Sequence, residues 1–126
     1  MGNKLREGIS AIIEKVVSEN EAASKYGATG IEVYATPAMI ALMENTAKSA
    51  VDLHLSYGYT TVGTEVCIKH LKATPVGSKV RCEAVVDNID GKKILFSVQV
   101  WDGKGLIGEG THIRYIVNIE KFMSKL

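Results

Sequence analysis

A long segment with the apolar spacing of a buried helix precedes a series of segments with strand alternation, and this succession most constrains the fold. Residues 37–55 read PAMIALMENTAKSAVDLHL. Thr36 and Pro37 are typical of a helix start, and Gly58 is the kind of residue at which helices end. Period-two alternation then predicts strands at 64–71, 80–89, 93–101 and 106–118. Asp-Gly pairs at 90–91 and 102–103 predict the hairpins between the last three.

A further strand is predicted at 9–17, where β-branched and apolar residues are concentrated. The sequence therefore predicts an α+β fold in which an antiparallel sheet, its last four strands in a meander, wraps around one long central helix. We expect one domain spanning residues 1–126. An exposed sheet edge would pair with a second copy, so a homodimer is expected, with a tetramer as the alternative.

Composition excludes several classes of protein. Fifteen basic and fourteen acidic residues leave a net charge of +1 without a basic cluster, so we predict no nucleic-acid partner. No apolar run reaches the roughly 18 residues of a membrane span, and the first residues lack the apolar region of a signal peptide. No membrane partner and a cytoplasmic location are therefore expected. Cys67 and Cys82 lack the spacing of metal ligands, so both are predicted to be buried free thiols, and no metal or cofactor is predicted.

Glu44 interrupts the apolar face of the predicted helix. Ile40, Ala47 and Val51 share that face, and Glu44 occupies the position four residues after Ile40. A buried carboxylate needs a cationic or hydrogen-bonding partner, or it takes up a proton near neutral pH, and such groups are common at catalytic sites. The alternative is a partly buried stripe from which Glu44 reaches water.

His70 and Thr36 are two further candidate site residues. His70 ends a row with Thr64, Val66 and Ile68 that should face the helix, where an imidazole would be a natural partner for Glu44 or else a core histidine. Thr36 is predicted to be the helix N-cap, although unpaired N–H groups at a helix start also suit a developing oxyanion. His112, by contrast, is predicted to lie at the surface or in an interface.

One apparent nucleotide motif is rejected. Residues 103–108 match G-x-G-x-x-G, but they lie in a predicted hairpin and lead into a strand. The dinucleotide fingerprint requires a preceding strand and a following helix, so this match predicts no cofactor site.

From about residue 33 to 122 the chain resembles the hotdog-fold thioesterases, and most closely the fluoroacetyl-CoA thioesterase-like family. The matching pieces are Ala35-Thr36, Leu42-Met43-Glu44, Thr61-Val62-Gly63-Thr64, His70, Ala73-Thr74-Pro75-Val76-Gly77, Gly110-Thr111-His112-Ile113-Arg114 and Ile119-Glu120-Lys121-Phe122. The resemblance implies a catalytic set of Thr36, Glu44 and His70, with Gly63 and Arg114 binding substrate. It also implies hydrolysis of a small or medium acyl-CoA without a cofactor. Upstream of the helix, residues 26–34 depart from the aromatic lid of the fluoroacetyl specialist.

Several alternatives stay open at the level of sequence. Glu44 could be the general base for water or the nucleophile. A hotdog enoyl-CoA hydratase or dehydratase would use a similar acid and imidazole pair, and a non-catalytic acyl-CoA binding module would bind without turnover. The acyl group, including whether fluoroacetyl-CoA is a substrate, is not specified by these residues.

Overall fold

The computed structural model describes residues 4–126, whose framework is one antiparallel sheet of five strands. The strands are β1 (Ser10–Val16), β2 (Tyr59–His70), β3 (Lys79–Asp90), β4 (Lys93–Asp102) and β5 (Gly105–Asn118). The main helix α1 covers Thr36–Asp52, and a short helix α2 covers Ile119–Ser124. Neither helix of this part of the chain is long and apolar enough to cross a membrane. The predicted α+β class is confirmed.

The strand order is β1-β3-β4-β5-β2, so the predicted four-stranded meander is only partly correct. Strands β3, β4 and β5 follow one another as a meander, whereas β2 pairs with β5 at the far edge. Helix α1 contacts all five strands across the inner face of the sheet. The chain therefore leaves the helix at the edge opposite β1, and β2 begins there rather than beside β3.

The core lies between α1 and the inner face of the sheet. Helix residues Met39, Met43, Ala47 and Val51 recur at four-residue spacing and are fully buried. The sheet contributes alternating buried side chains, among them Val80, Cys82, Ala84 and Val86 of β3 and Ile94, Phe96, Val98 and Val100 of β4. Cys82 is the buried free thiol that was predicted, but the prediction for Cys67 is wrong, because it lies exposed on the edge strand.

Helix α1 ends earlier than its apolar spacing predicts. Its last residue is Asp52, and a turn connects it to Gly58, which adopts the left-handed φ of 87°. The Asp52 carboxylate accepts hydrogen bonds from Lys48 at 2.5 Å and from Thr60 at 3.1 Å. The contact with Lys48 lies within the last turn of α1, and the contact with Thr60 joins the end of the helix to the start of β2.

Strand β2 contains a bulge that changes which side chains face the helix. Gly63 pairs with Arg114 and Glu65 pairs with Ile113, so Thr64 is an extra residue without a partner in the ladder. Gly63 before the bulge and His70 after it both face α1, although an odd number of positions separates them. The predicted inward row is therefore wrong at Thr64 and confirmed at His70.

Candidate active site

The first residue of α1 and the last residue of β2 meet at one end of the site. The Thr36 hydroxyl oxygen lies 2.7 Å from Nδ1 of His70, a hydrogen bond whose donor depends on the imidazole tautomer. Ala35 occupies the N-cap position and Thr36 follows it as the first helical residue. The predicted capping role of Thr36 is therefore wrong, and its hydroxyl is engaged with a histidine instead.

The environment of His70 favours the neutral imidazole. Burial lowers the pKa of His70 below its ordinary value, while the backbone of Lys72 acts in the opposite direction. Its Nε2 atom is buried and accepts or donates no hydrogen bond among the described residues. Thr36 and His70 line an open groove of about 330 Å³, which three alanines border together with the larger side chains of Tyr34, Leu71 and Lys72.

Glu44 lies in the middle of α1, within a second cluster of polar side chains. Its side chain is 39% exposed, and Oε2 lies 3.6 Å from Nη1 of Arg114 and 3.8 Å from Nε2 of His112. The described part of the chain gives its carboxylate no hydrogen bond. The predicted pairing of Glu44 with His70 is therefore wrong within one chain, where Arg114 and His112 take that place. Thr36 and Glu44 are eight residues apart, which corresponds to about 12 Å along a helix.

A buried hydrogen-bond network fixes the position of Arg114. Its Nε donates to Oγ1 of Thr61 at 2.7 Å, and its Nη2 donates to the Thr61 carbonyl oxygen at 2.8 Å. Nη1 donates to Nε2 of His112 at 3.1 Å, while Nδ1 of His112 donates to the Glu65 carbonyl oxygen at 2.8 Å. Both ring nitrogens thus have roles that match a neutral imidazole with its proton on Nδ1.

His112 is a site residue that the sequence prediction placed wrongly. It is 1% exposed, because it belongs to the inner face of β5 rather than to the surface. Burial lowers the pKa of His112, the Arg114 charge acts in the same direction, and the Glu65 carbonyl and the Glu44 carboxylate oppose it. The strand alternation that puts His112 on the same face as Arg114 is the signal that could have identified it.

Gly63 allows the backbone of β2 to approach the Glu44 carboxylate closely. A Cβ atom at this position would overlap Oε2 of Glu44 and would lie 3.0 Å from His112 and 3.2 Å from Arg114. The predicted site residue Gly63 is therefore next to Glu44 and Arg114. Only a residue without a side chain leaves this carboxylate in place.

The five predicted site residues thus form two groups, carried by helix α1 and by the neighbouring strands β2 and β5. Thr36 and His70 provide a hydroxyl, an imidazole and a helix N-terminus, while Glu44, Gly63 and Arg114 provide a half-exposed carboxylate beside a fixed guanidinium and open backbone. Within residues 4–126, no three His, Cys, Asp or Glu side chains gather as the ligands of a metal ion would. The arrangement suits acyl transfer by acid–base or carboxylate chemistry.

Comparison with known proteins also points to a thioesterase. The family model for fluoroacetyl-CoA-specific thioesterases matches residues 17–120. A fluoroacetyl-CoA thioesterase from Streptantibioticus cattleyicolor is 37% identical over 95 residues, which cover 75% of this chain and 68% of that protein.

Solved structures of the same relative and of a more distant protein superpose closely on this chain. A variant of the fluoroacetyl-CoA thioesterase in complex with acetyl-CoA superposes with a TM-score of 0.92 at 31% identity, covering 96% of both chains. A hot-dog-like protein from Thermanaerovibrio acidaminovorans superposes with a TM-score of 0.88 at 21% identity, covering 96% of this chain and 90% of that one. The second similarity concerns the fold alone.

Proposed function

Because the chain belongs to the fluoroacetyl-CoA-specific thioesterase family, we propose that it hydrolyses the CoA thioester of a small or medium acyl group with Glu44, Thr36 and His70. Thioesterase activity follows from the family, and the residue roles are argued from geometry. The observation that carries them is the half-exposed Glu44 carboxylate, which lies 3.6 Å from Arg114 and beside Gly63. Its oxygens accept no hydrogen bond within the described residues, so they are available to water or to a carbonyl carbon.

Two routes of hydrolysis use this carboxylate. As a general base, Glu44 takes a proton from water while the oxygen attacks the thioester carbon, and the tetrahedral intermediate then expels the thiolate. As a nucleophile, Glu44 forms a mixed anhydride and releases the thiolate, and water hydrolyses the anhydride. Arg114 places a fixed positive charge 3.6 Å from this carboxylate in either route, because its guanidinium is held by Thr61 and His112.

Thr36 and His70 are suited to the thioester oxygen and to the leaving group. Where Nδ1 of His70 donates to Thr36, the threonine hydroxyl can donate to the thioester oxygen, and the first N–H groups of α1 add to this electrostatic stabilisation. In the other neutral tautomer, the Thr36 hydroxyl donates to Nδ1 and the Nε2–H group of His70 can donate a hydrogen bond to the departing sulfur. Both roles require the carbonyl group to lie against the start of α1.

Dimerisation would bring the Thr36/His70 group of one chain close to the Glu44 group of another. About 12 Å of helix separates Thr36 from Glu44, so one chain does not present both to one carbonyl carbon. Strand β2 is a 12-residue edge strand paired on one side only, and such edges pair with another copy. Antiparallel pairing of two β2 edges would bring the partner subunit's Glu44 toward Thr36 and His70. We therefore propose a homodimer as the active form, with a tetramer as the alternative assembly.

A panel of acyl-CoA substrates tests this function. Free-thiol release should be fastest with short or medium acyl groups, because the groove at Thr36 and His70 has a volume of only about 330 Å³ and is bordered by Tyr34 and Leu71. The panel should include acetyl-CoA, fluoroacetyl-CoA and longer saturated chains, with Glu44→Gln as the inactive control. Enoyl-CoA hydration, measured alongside, separates a hydratase from a thioesterase. Tight binding of acyl-CoA without thiol release would contradict the proposal.

A further inference from the structure

His112 lies beside Glu44 and Arg114, although neither route of hydrolysis passes a proton or a bond through its ring. The ring is 1% exposed and stacks on Phe96 of β4, with the ring centroids 6.1 Å apart. Its Cε1 atom lies 3.0 Å from the place that a Cβ atom of Gly63 would occupy, so the ring also packs on the backbone of β2. Strands β2, β4 and β5 thus enclose the imidazole and fix the directions of its two nitrogens.

The bulge in β2 selects the tautomer of His112. Nδ1 donates to the carbonyl oxygen of Glu65 at 2.8 Å, and Glu65 directly follows the extra residue Thr64. Burial lowers the pKa of His112 and outweighs the Glu65 carbonyl, which acts in the opposite direction, so the ring is neutral at neutral pH. With its proton on Nδ1, the neutral ring has a lone pair on Nε2. Nε2 therefore cannot donate a hydrogen bond to Oε2 of Glu44, which lies 3.8 Å away.

The lone pair on Nε2 is directed at the Arg114 nitrogen that lies near Glu44. Thr61 holds one edge of the guanidinium, through Nε at 2.7 Å and Nη2 at 2.8 Å. Two bonds along one edge of a planar group leave rotation about that edge unopposed, and such a rotation would carry Nη1 away. The bond from Nη1 to Nε2 of His112, at 3.1 Å, prevents it. Oε2 of Glu44 lies 3.6 Å from the same Nη1.

We propose that His112 is a positioning residue that acts through Arg114: it accepts the hydrogen bond from Nη1 and thereby holds the guanidinium charge beside the Glu44 carboxylate. The inference rests on the proposed function, because it assigns a task in the reaction of Glu44. A guanidinium held in place before the reaction requires no reorganisation when negative charge moves from Glu44 toward the thioester oxygen. The imidazole itself neither takes up nor releases a proton in this role.

Two amide substitutions separate the two nitrogens of the ring. Glutamine places an oxygen near the position of Nε2, where it can accept from Arg114, whereas asparagine reaches only the position of Nδ1. We expect His112→Asn to lower kcat for acyl-CoA hydrolysis about tenfold, as the loss of one hydrogen bond to a charged group predicts. His112→Gln should keep kcat within about threefold of wild type, and both variants should keep KM within about threefold.

Lost stability needs its own control, because His112 is buried. Val86→Ala removes apolar side-chain atoms from the core on β3, which is not a neighbour of β5 in the sheet. It should lower the melting temperature without changing kcat per folded molecule. The folded fraction of every variant at the assay temperature is taken from a thermal melt followed by circular dichroism.

A double-mutant cycle tests whether His112 acts through Arg114. Lysine has no planar fork for His112 to hold, so in an Arg114→Lys background His112→Asn should lower kcat by less than about twofold. The same substitution lowers kcat about tenfold when Arg114 is present, and the difference between the two factors measures the coupling.

NMR of the guanidinium gives a measurement that does not depend on activity. The chain has three arginines, Arg6, Arg81 and Arg114, so the signals of isotope-labelled arginine nitrogens can be assigned by substitution. Rotation about the Cζ–Nη1 bond of Arg114 should be slow in the wild type and in His112→Gln, and faster in His112→Asn. The signals of exposed Arg6 should be the same in all three proteins.

Fast rotation about the Cζ–Nη1 bond of Arg114 in the wild type would overturn the inference without any variant. An unchanged kcat in His112→Asn would do the same. Equal losses in His112→Asn and His112→Gln would implicate the lost ring rather than the lost bond, and equal losses in the wild-type and Arg114→Lys backgrounds would show that His112 acts independently of Arg114. If wild-type enzyme hydrolysed no acyl-CoA, the proposed function itself would fail, whereas the rotation rate would still report whether His112 holds Arg114.

Discussion

The Thr36 hydroxyl oxygen lies 2.7 Å from Nδ1 of His70, and this contact joins the first residue of α1 to the last residue of β2. The site therefore has a hydroxyl–imidazole end at Thr36 and His70 and a carboxylate end at Glu44. Substitutions at the two ends should therefore have different effects on catalysis and on stability, and the following variants are chosen to distinguish them.

Glu44→Gln should remove most hydrolysis while keeping the fold. The amide has the same shape but neither the charge nor the basicity of the carboxylate, so kcat should fall roughly 100-fold or more. Arg114 loses its nearby counter-charge, so a small decrease in melting temperature is also expected. Thiol release and thermal unfolding measure the two effects. Turnover close to wild type would remove Glu44 from the mechanism.

Thr36→Ala should lower kcat with little loss of stability. Thr36 is not the helix cap, and alanine is a good helix former, so the stability change should reflect mainly the lost hydrogen bond to His70, about 1 kcal/mol. The rate should fall roughly 100-fold if the hydroxyl stabilises the oxyanion. Thr36→Ser serves as the control and should recover most of the rate. A normal rate in Thr36→Ala would limit this hydroxyl to a structural role.

His70→Gln should change the pH–rate profile as well as the rate. Burial lowers the pKa of His70, so its neutral form should persist below the ordinary value of about 6.5 and the acid limb of kcat/KM should lie below that pH. The substitution should remove this limb and lower kcat roughly 100-fold. His54→Gln, a histidine outside the site, is the matched control and should keep the limb. A profile unchanged in His70→Gln, with normal turnover per folded molecule, would contradict the assigned role.

Gly63→Ala should reduce activity through Glu44 rather than through unfolding. The added methyl group would overlap Oε2 of Glu44, whose flexible side chain can move away and thereby displace the carboxylate. We expect kcat to fall at least tenfold per folded molecule, with a loss of unfolding free energy of about 1 kcal/mol, because the methyl group would also press on His112 and Arg114. A circular dichroism melt and the acyl-CoA assay measure both. An active Gly63→Ala enzyme would show that close approach at this position is not needed.

Stability should decrease as the pH falls from neutral. Burial lowers the pKa of His112 in the folded state, and that of His70 likewise, so the unfolded chain binds protons first. This stability is fully present above about pH 6.5, the ordinary histidine value, and is lost progressively as the pH falls toward the folded pKa. Urea unfolding at pH 7.5 and 5.5 measures the loss, which should be smaller in His112→Gln. An equal loss in wild type and variant would exclude His112 as a cause.

Much of the fold could be predicted from local patterns. Apolar spacing identified α1, alternation identified the strands after it, and Asp-Gly pairs identified both hairpins. The place of β2 at the far edge could not be predicted, because strand order depends on how the helix crosses the sheet. Cys67 is exposed because it lies with Glu65 and Lys69 on the outer face of β2, where strand alternation places it and where no described helix covers the sheet.

The candidate site was predicted in its residues better than in its pairings. Glu44 stood out because a charge interrupted an apolar stripe, but its real neighbours, Arg114 and His112, come from β5, at the distant end of the sequence. Thr36 was assigned to the helix cap because threonine commonly caps, whereas Ala35 takes that position. Long-range pairing and the exact first residue of a helix are set by tertiary contacts that short-range patterns do not record.

The single unpaired residue at position 64 acts as a phase shift within β2. In an uninterrupted strand, residues 63 and 70 would point to opposite sides of the sheet, because seven positions separate them. The bulge lets Gly63 accommodate the Glu44 carboxylate while His70 reaches the start of the same helix. A homologous chain in which this strand is one residue shorter would present only one of the two groups to the helix. The length of an edge strand, and not only its residue types, therefore belongs to the signature by which relatives with an intact site can be recognised.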